Sequence, residues 1–476
     1  MKYIKIIVLA AFTVSICACT EEFLTPDLTA AISEEDFFQN ESQLELAVVA
    51  MYDGIQGVNA LDDSDRTLNN AIQIEFYLAE MLTDNTRTKD GEGEPAQFEK
   101  FQVLPTNSFI FNYYRSFFNV IFRANKVLEN LDVATDANRG RIEAEAKFIR
   151  AYAYFNLVRF FGDLPLADRV IDISETEVQF TRVSQDIIYD LIISDFQNAI
   201  NGLENGSVNR ASKAAAQALL AKVYLTRGSN YIEAQLLLEE VMNSGFMLEP
   251  NFKDVFYDES NSETIFAIGF IADIGQDSQG FSAEWQNAVG RTSGVNYLTN
   301  EVIAAFAEFG GNRSEFSFRT DPTQLNQTQV AKYLPNGDAS LGIEPTGSNP
   351  RLAGNDWIVL RYADVLLMHV EAIMAGSQQT NSSTALSSFQ AVRNRAGLTD
   401  PVTVVTKQDL LNERRVELAF ENHRLFDLKR FNMAQEVLSS FSAANGFNFS
   451  ATDILLPLPQ AEINLSGGLL TQNPGY

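Results

Sequence analysis

The chain has 476 residues and is poor in the side chains that most often do chemistry, with two His, two Cys and two Trp. Two His and two Cys are too few for most zinc sites, for a disulfide framework or for His-based hydrolysis. Positive charge is also scarce, because 35 Lys and Arg face 62 Asp and Glu and leave a net charge of −27. Such a chain repels a phosphate backbone, so we expect no nucleic-acid partner.

Hydrophobic residues make up 46% of the chain and charged residues 20%, which is typical of a globular protein with a large core. The one long apolar run covers residues 6–18 and follows Lys2 and Lys5. It is shorter than the roughly 20 residues that span a bilayer, and a run of this length after positive charge is typical of an export signal.

That run ends at residues 16–19 (ICAC), and small residues ahead of a Cys resemble the bacterial lipobox, in which the Cys becomes the lipidated N-terminus. We therefore predict a lipoprotein signal peptide over 1–18, lipidation of Cys19 and membrane attachment through this lipid. The alternative is an ordinary signal peptide with an unused Cys. Residues 20–22 (TEE) resemble the acidic tag of Bacteroidetes surface lipoproteins, which predicts an outer-membrane location at the cell surface.

The body reads as helix on both sides of an irregular block. Apolar residues at spacings of three and four predict helices over 112–131, 142–161 and 184–203, and segments 214–242 and 361–396 resemble tetratricopeptide helix pairs. Segment 142–161 is apolar on nearly all sides, which predicts a central helix that ends at Gly162. Frequent Gly, Asn, Ser and Thr predict loops with short strands over 249–356 and, on a smaller scale, over 60–107.

Segments along the whole chain resemble the SusD/RagB outer-membrane lipoproteins of Bacteroidetes. The segments that carry this resemblance are 23–26 (FLTP), 50–52 (AMY), 122–125 (FRAN), 145–152 (EAKFIRAY), 161–166 (FGDLPL), 361–367 (RYADVLL), 392–398 (VRNRAGL), 413–421 (ERRVELAFE), 424–430 (RLFDLKR), 456–459 (LPLP) and 472–476 (QNPGY). No single segment decides the matter, but their order over the full length is specific.

The resemblance implies a mainly α fold, in which tetratricopeptide-like helix pairs form a superhelical scaffold and an irregular, loop-rich subdomain carries short strands. It implies one domain over 19–476, with scaffold at about 40–248 and 357–435 and ligand-face segments at about 60–107 and 249–356. It also implies that the protein binds glycan and acts as the lid of a SusC-like TonB-dependent transporter. A peptide-binding RagB-like protein is the alternative, and a secreted glycoside hydrolase is a remote one.

No catalytic, metal or cofactor site emerges from the sequence, and we expect the protein not to be an enzyme. Glu413, Glu417 and Glu421 lie four residues apart and share a helix face, flanked by arginines at 414, 415 and 424. We interpret these residues as a structural ion-pair network. His369 and His423 lack a neighbour at metal-ligand spacing and are interpreted as packing or surface residues.

Aromatic residues on loops are candidates for stacking against a sugar ring. Trp285, in the irregular block, is the best single candidate, whereas Trp357 precedes a helix and is assigned to the core. Relatives place their ligand residues in the loops after the first helices and in the later irregular block. By that regional likeness the candidate ligand-binding residues are Arg87, Phe98, Phe101, Phe281, Trp285, Arg291, Asn296 and Tyr297. Arg87 or Arg291 would meet the charge of an anionic glycan such as a uronate.

Overall fold

The computed structural model describes residues 37–59, 69–88, 93–286, 297–322 and 325–476, and these are mainly helical. The helices are α1 (Glu41–Gln56), α2 (Glu75–Ala79), α3 (Glu94–Glu99), α4 (Ser108–Glu129), α5 (Asp136–Phe161), α6 (Thr176–Phe180), α7 (Gln185–Gly202), α8 (Lys213–Arg227), α9 (Tyr231–Met242), α10 (Asp254–Tyr257), α11 (Phe281–Glu284), α12 (Asn300–Phe309), α13 (Ser314–Ser317), α14 (Tyr362–Met374), α15 (Ser383–Arg395), α16 (Lys407–Glu417), α17 (Arg424–Arg430), α18 (Ala434–Asn445) and α19 (Gln460–Leu465). Within these residues no helix has the length and apolar character that a membrane crossing needs.

Eight of the helices form four consecutive pairs, α1 with α4, α5 with α7, α8 with α9 and α14 with α15. Neighbouring pairs also touch, through α4 with α5, α7 with α8 and α9 with α14. The structure thus confirms the predicted scaffold of helix pairs, including both segments that resemble the tetratricopeptide pattern. Each pair buries its apolar faces against the next, which one helix hairpin alone cannot do.

Helix α5 is central, as its sequence predicts, because it packs against both α4 and α7 and is buried along most of its length from Ile142 onward. It ends at Gly162, whose φ of 73° lies in the left-handed region that a side chain disfavours. The turn between α8 and α9 uses Gly228 in the same way, at φ 63° and ψ 36°. Both chain reversals therefore come from glycine at the helix end.

The strands are short and pair antiparallel in twos. They are β1 (Thr86–Arg87), β2 (Leu164–Pro165), β3 (Arg182–Val183), β4 (Thr264–Ile268), β5 (Tyr297–Leu298), β6 (Phe318–Thr320), β7 (Thr328–Val330), β8 (Trp357–Arg361), β9 (Gln379–Thr380) and β10 (Val405–Thr406). The pairs are β1 with β5, β2 with β3, β4 with β8, β6 with β7 and β9 with β10. Residues 249–356, called the irregular block below, hold four of these strands between helical segments, as predicted.

The block also contains α12, a ten-residue helix that our sequence analysis missed. Its signals are present: Thr299 caps it by accepting a hydrogen bond from the Val302 backbone N–H at 3.2 Å, and Val302, Ala305 and Phe306 are buried on one face. The helix is short, and the Gly, Asn, Ser and Thr around it predict loops, so its own periodicity is hard to recognise in the sequence.

Buried ion pairs fasten the irregular block to α16. Arg313, from the block, donates to Glu413 at 2.6 Å and to Glu417 at 2.8 Å. Lys332, also from the block, donates to Glu421 at 2.6 Å. The buried members of this network, called the junction cluster below, are Glu263, Arg313, Lys332, Arg361, Arg395, Glu413, Glu417 and Glu421, and the partly exposed Arg393 pairs with Glu413 at 3.2 Å from its edge.

The junction cluster confirms a structural ion-pair network at the three glutamates but corrects its partners. The flanking arginines point elsewhere: Arg414 pairs with Asp364 and Asp427, while Arg415 and Arg424 both pair with Asp84. Adjacent helix positions face different directions, so sequence neighbours are poor guides to ion-pair partners.

Candidate functional site

Two of the candidate residues, Arg87 and Tyr297, face each other across β1 and β5. The Arg87 guanidinium carbon lies 5.7 Å from the centre of the Tyr297 ring, a distance at which a cation and an aromatic face attract. Both side chains are partly exposed, Arg87 to 32%. The two residues are more than 200 positions apart in the sequence, and the pairing of β1 with β5 brings them together. This pair of residues is called the Arg87–Tyr297 edge below.

Glu99, the last residue of α3, supports this edge by contacting Arg87 and Thr88. Its carboxylate lies 3.1 Å from Arg87 Nε and accepts a hydrogen bond from the Thr88 backbone N–H at 3.0 Å. Glu99 is buried, whereas the guanidinium is partly in solvent. Our sequence analysis did not select Glu99, because an acidic residue in a short helix carries no pattern that predicts an ion pair with a strand.

The scaffold sets the position of the edge through Asp84. Arg415 and Arg424, on and after α16, each place a nitrogen 2.9 Å from the Asp84 carboxylate. Burial alone would raise the pKa of Asp84, but the two guanidinium groups outweigh it and hold that pKa well below its usual value.

The backbone after Asp84 then ties the two irregular segments together. The Asp84 carbonyl accepts a hydrogen bond from Thr299 Oγ1 at 2.7 Å, and the Asn85 carbonyl accepts from the Thr299 backbone N–H at 3.0 Å. The scaffold therefore fixes β1 and β5, and with them Arg87 and Tyr297.

The other four aromatic or apolar candidates are not where we expected them. Trp285 is 1% exposed, and its ring packs edge-on at 5.6 Å from Phe76 and 5.1 Å from Tyr333. Phe281, Phe98 and Phe101 are also buried, Phe281 against Trp357 at 5.3 Å. None of these faces is open to a ligand, so the structure assigns them to the core.

The physical reason for this correction is that the irregular block packs onto the same hydrophobic core as the helices, and its large aromatic rings help to fill that shared core. Trp285, Phe281 and Tyr333 supply large apolar faces that pack edge to face, which is the arrangement aromatic rings prefer. Trp357 joins them on β8, which agrees with its assignment to packing. Arg291, Asn296, Cys19 and the signal peptide over 1–18 lie outside the described residues.

Over the described ranges, no group of three or more His, Cys, Asp and Glu side chains is placed to hold a metal ion. His369 is buried, with Nδ1 at 2.9 Å from Ser388 Oγ and Nε2 at 3.4 Å from Glu239, so it belongs to the packing between helices.

Two family models together match nearly the whole described chain. The SusD family model matches residues 244–476, and a model described as "Starch-binding associating with outer membrane" matches residues 34–225. The chain belongs to the SusD family. Proteins of this family bind carbohydrate, are non-catalytic and are associated with the outer membrane. This agrees with the prediction that the chain is not an enzyme, and the glycoside hydrolase alternative is dropped.

Relatives match over almost their full length. SusD-like protein P2 of Formosa agariphila is 28% identical over 499 residues, which cover 94% of each chain. A solved laminarin-binding SusD-like protein is 25% identical with a TM-score of 0.75, over 92% of this chain and 100% of that one. Surface glycan-binding protein A from Bacteroides thetaiotaomicron, solved with laminarihexaose, has a TM-score of 0.75 at 21% identity, over 91% of this chain and 100% of that one. At that lower identity the likeness shows the fold alone.

Proposed function

We propose that this SusD-family protein binds glycan at the cell surface and delivers it to a SusC-like TonB-dependent transporter, for which it acts as the lid. The observation that carries the proposal is the match over more than nine-tenths of the chain to a laminarin-binding SusD-like protein. A lipid on Cys19 anchors the protein to the outer membrane, and the scaffold holds the ligand-facing segments together.

The Arg87–Tyr297 edge is the proposed place of contact with the glycan. A partly exposed tyrosine offers an apolar ring face and a hydroxyl, and the guanidinium offers fixed donors for sugar hydroxyls or for a uronate carboxylate. Because Glu99 and Asp84 fix the backbone and the guanidinium, little ordering entropy remains to oppose binding. Arg291 and Asn296 remain predicted contributors to the same site.

The test is calorimetry with laminarin oligosaccharides, and with peptide pools for the RagB-like alternative. Tyr297→Ala removes a ring face and should weaken glycan binding several-fold, or about 1 kcal/mol, by analogy with aromatic residues at other interfaces. The matched control is Phe122→Ala, which removes an aromatic residue 46% exposed on scaffold helix α4 and should leave affinity unchanged. Equal affinity of the Tyr297→Ala variant and the wild type would move the site elsewhere, and binding of peptide without glycan would favour the alternative.

The lid role is tested by extraction from the native host in mild detergent. A lid must hold a large interface with its transporter, and permanent interfaces often bury more than about 2,000 Å² in total. We expect the wild type to co-purify with a large β-barrel and to carry a fatty-acid label that Cys19→Ala lacks. Recovery of the protein alone, with the barrel intact in the same extract, would contradict the lid role. Equal label on both chains would contradict the anchor.

A further inference from the structure

A cleft of about 590 Å³ opens on the scaffold between α5, α7, α8, α17 and α18. Small-molecule sites commonly measure about 300–1,000 Å³ and combine an apolar lining with a few polar groups. The apolar lining here includes Val158, Phe426 and Leu455, and the polar lining includes Tyr189 and Gln435. Three cationic side chains, Arg159, Lys429 and Arg430, also line it, although the chain as a whole carries a net charge of −27.

Arg159 lines this cleft and also a smaller cavity that it shares with Glu75, and two aromatic rings hold its guanidinium in place. Its guanidinium carbon lies 4.3 Å from the ring centre of Phe155 and 3.8 Å from that of Phe426. Arg159 Nε donates to the Phe155 carbonyl at 3.1 Å, and Nη2 donates to the Asn156 side-chain oxygen. A guanidinium carries five N–H donors, so two are used and three remain without a protein acceptor in the described part of the chain.

Lys429 lies against the same helix end. Its ammonium donates to the Ile454 carbonyl at 3.0 Å and to the Arg159 carbonyl, which leaves one of its three N–H groups without a protein acceptor across the described ranges. Burial, together with the nearby Arg159 charge, lowers the pKa of Lys429 to about 7.

Neither Arg159 nor Lys429 has a carboxylate within 4 Å among the residues that the structure describes. The carboxylate that most offsets the charge of Arg159 is that of Glu75, which lies beyond ion-pair distance. Glu75 accepts a hydrogen bond from the Tyr113 hydroxyl at 2.8 Å. The other cation, Arg430, is neutralised by Glu371 at 2.8 Å and Asp427 at 3.0 Å. Within the described ranges the cleft therefore contains Arg159, which has no carboxylate at ion-pair distance, and Lys429, whose lowered pKa leaves it only partly charged near pH 7.

We propose that this cleft is a second binding site, separate from the Arg87–Tyr297 edge, and that it takes the carboxylate of a uronic acid sugar between Arg159 and Lys429. The free donors of Arg159 and Lys429, with no carboxylate within 4 Å of either in the described ranges, carry the carboxylate part of the proposal. The saccharide part rests on the proposed function. The apolar lining receives the sugar ring. Gln435 and Tyr189 line the same cleft and can hydrogen-bond the hydroxyls of the sugar.

Calorimetry on the whole protein with glucuronate, glucose and acetate tests both parts. We expect heat of binding with glucuronate, none with glucose and weaker binding with acetate. Absence of binding with glucuronate overturns the proposal. Equal affinity for acetate and glucuronate overturns the saccharide part and leaves an anion site.

Two glutamine variants locate the site without removing a buried group. Gln435→Glu adds a carboxylate to the cleft from an exposed helix position and should abolish glucuronate binding by supplying the missing charge. Gln408→Glu makes the same change at an exposed position near the start of α16, outside the cleft lining, and should bind as the wild type does. Retained binding in Gln435→Glu overturns the assignment to this cleft.

Amine labelling gives a second readout that does not depend on a variant. Glucuronate should slow the reaction of Lys429 with an N-hydroxysuccinimide ester several-fold, because it covers the amine and favours its charged form. Lys213, at the opposite end of α8 from Thr226, should react at an unchanged rate. Arg87→Gln alters the Arg87–Tyr297 edge and should leave the protection of Lys429 intact. The cleft proposal can therefore fail or hold independently of the proposed glycan site at that edge. Loss of protection in that variant would place the glucuronate at the edge instead.

Discussion

In the junction cluster every buried arginine or lysine meets at least one carboxylate, whereas Arg159 and Lys429 in the cleft meet none within the described residues. The buried members of the cluster are four cations and four carboxylates, and the partly exposed Arg393 adds a fifth cation at Glu413. The cluster joins the irregular block to α16. In the cleft, Arg159 and Lys429 have spare donors and no carboxylate within 4 Å in the described ranges.

The difference teaches which buried charges are structural. Removing a charge from water is costly, and a protein recovers that cost only through close pairing and hydrogen bonds to every polar atom. The junction cluster meets this condition by itself at all but one position, Arg395 Nε, which is buried without a hydrogen-bond partner within the described residues. In the cleft Arg159 lacks a close carboxylate among those residues and Lys429 loses part of its charge through its lowered pKa, and an anion that comes from outside the chain would balance both.

The largest expected effect is in the junction cluster. Glu417 accepts from Arg313 at 2.8 Å and from Arg361 at 2.6 Å, and it also pairs with Arg395. Burial alone would raise the pKa of Glu417, but the three guanidinium groups hold it well below its usual value. Glu417→Gln removes the negative charge that these three arginines share. Breaking such buried pairs typically lowers the free energy of unfolding by about 3–5 kcal/mol. Denaturant unfolding followed by circular dichroism measures the loss.

The matched control uses an exposed ion pair. Glu175 lies 2.6 Å from Arg169 near the surface, where water replaces the interaction when it is lost. We expect no measurable change in the midpoint of unfolding for Glu175→Gln. A similar loss in both variants would mean that the junction cluster contributes no more than a surface pair, and the comparison with the cleft would fail.

Local pattern predicted the helices well and the ion pairs poorly. The periodicity of 142–161 is visible within a few turns, and α5 covers it as expected. The partners of Glu417, by contrast, include Arg313, about a hundred positions earlier, and the sequence carries no signal that joins them. The same limit explains Trp285, whose burial depends on Phe76 and Tyr333 from distant segments. Of the candidate site, the sequence could suggest Arg87 and Tyr297 by region, but not that they meet.

A smaller expected effect sharpens the comparison at Glu80, a buried carboxylate with no ion-pair partner among the residues that the structure describes. Glu80 is fully buried and accepts a hydrogen bond from the Asn422 backbone N–H at 2.8 Å. Burial raises the pKa of Glu80 to about 7, against the opposing effects of that hydrogen bond and of Lys332. A folded-state pKa above the unfolded value of 4.5 contributes stability that is fully present below about pH 4.5 and is lost as the pH rises through about 7.

Glu80→Gln keeps an acceptor for Asn422 and cannot ionise, so this loss should disappear. The variant should match the wild type near pH 5 and exceed it near pH 8 by on the order of 1–3 kcal/mol, measured as the difference between their unfolding free energies at the two pH values. Glu436→Gln, on an exposed position of α18, is the control for the charge change itself. Parallel stability curves for wild type and Glu80→Gln from pH 5 to pH 8 would show that Glu80 keeps its charge in the folded state. In that case an unpaired buried charge is tolerated without a ligand, and Arg159 and Lys429 would lose their strongest argument for one.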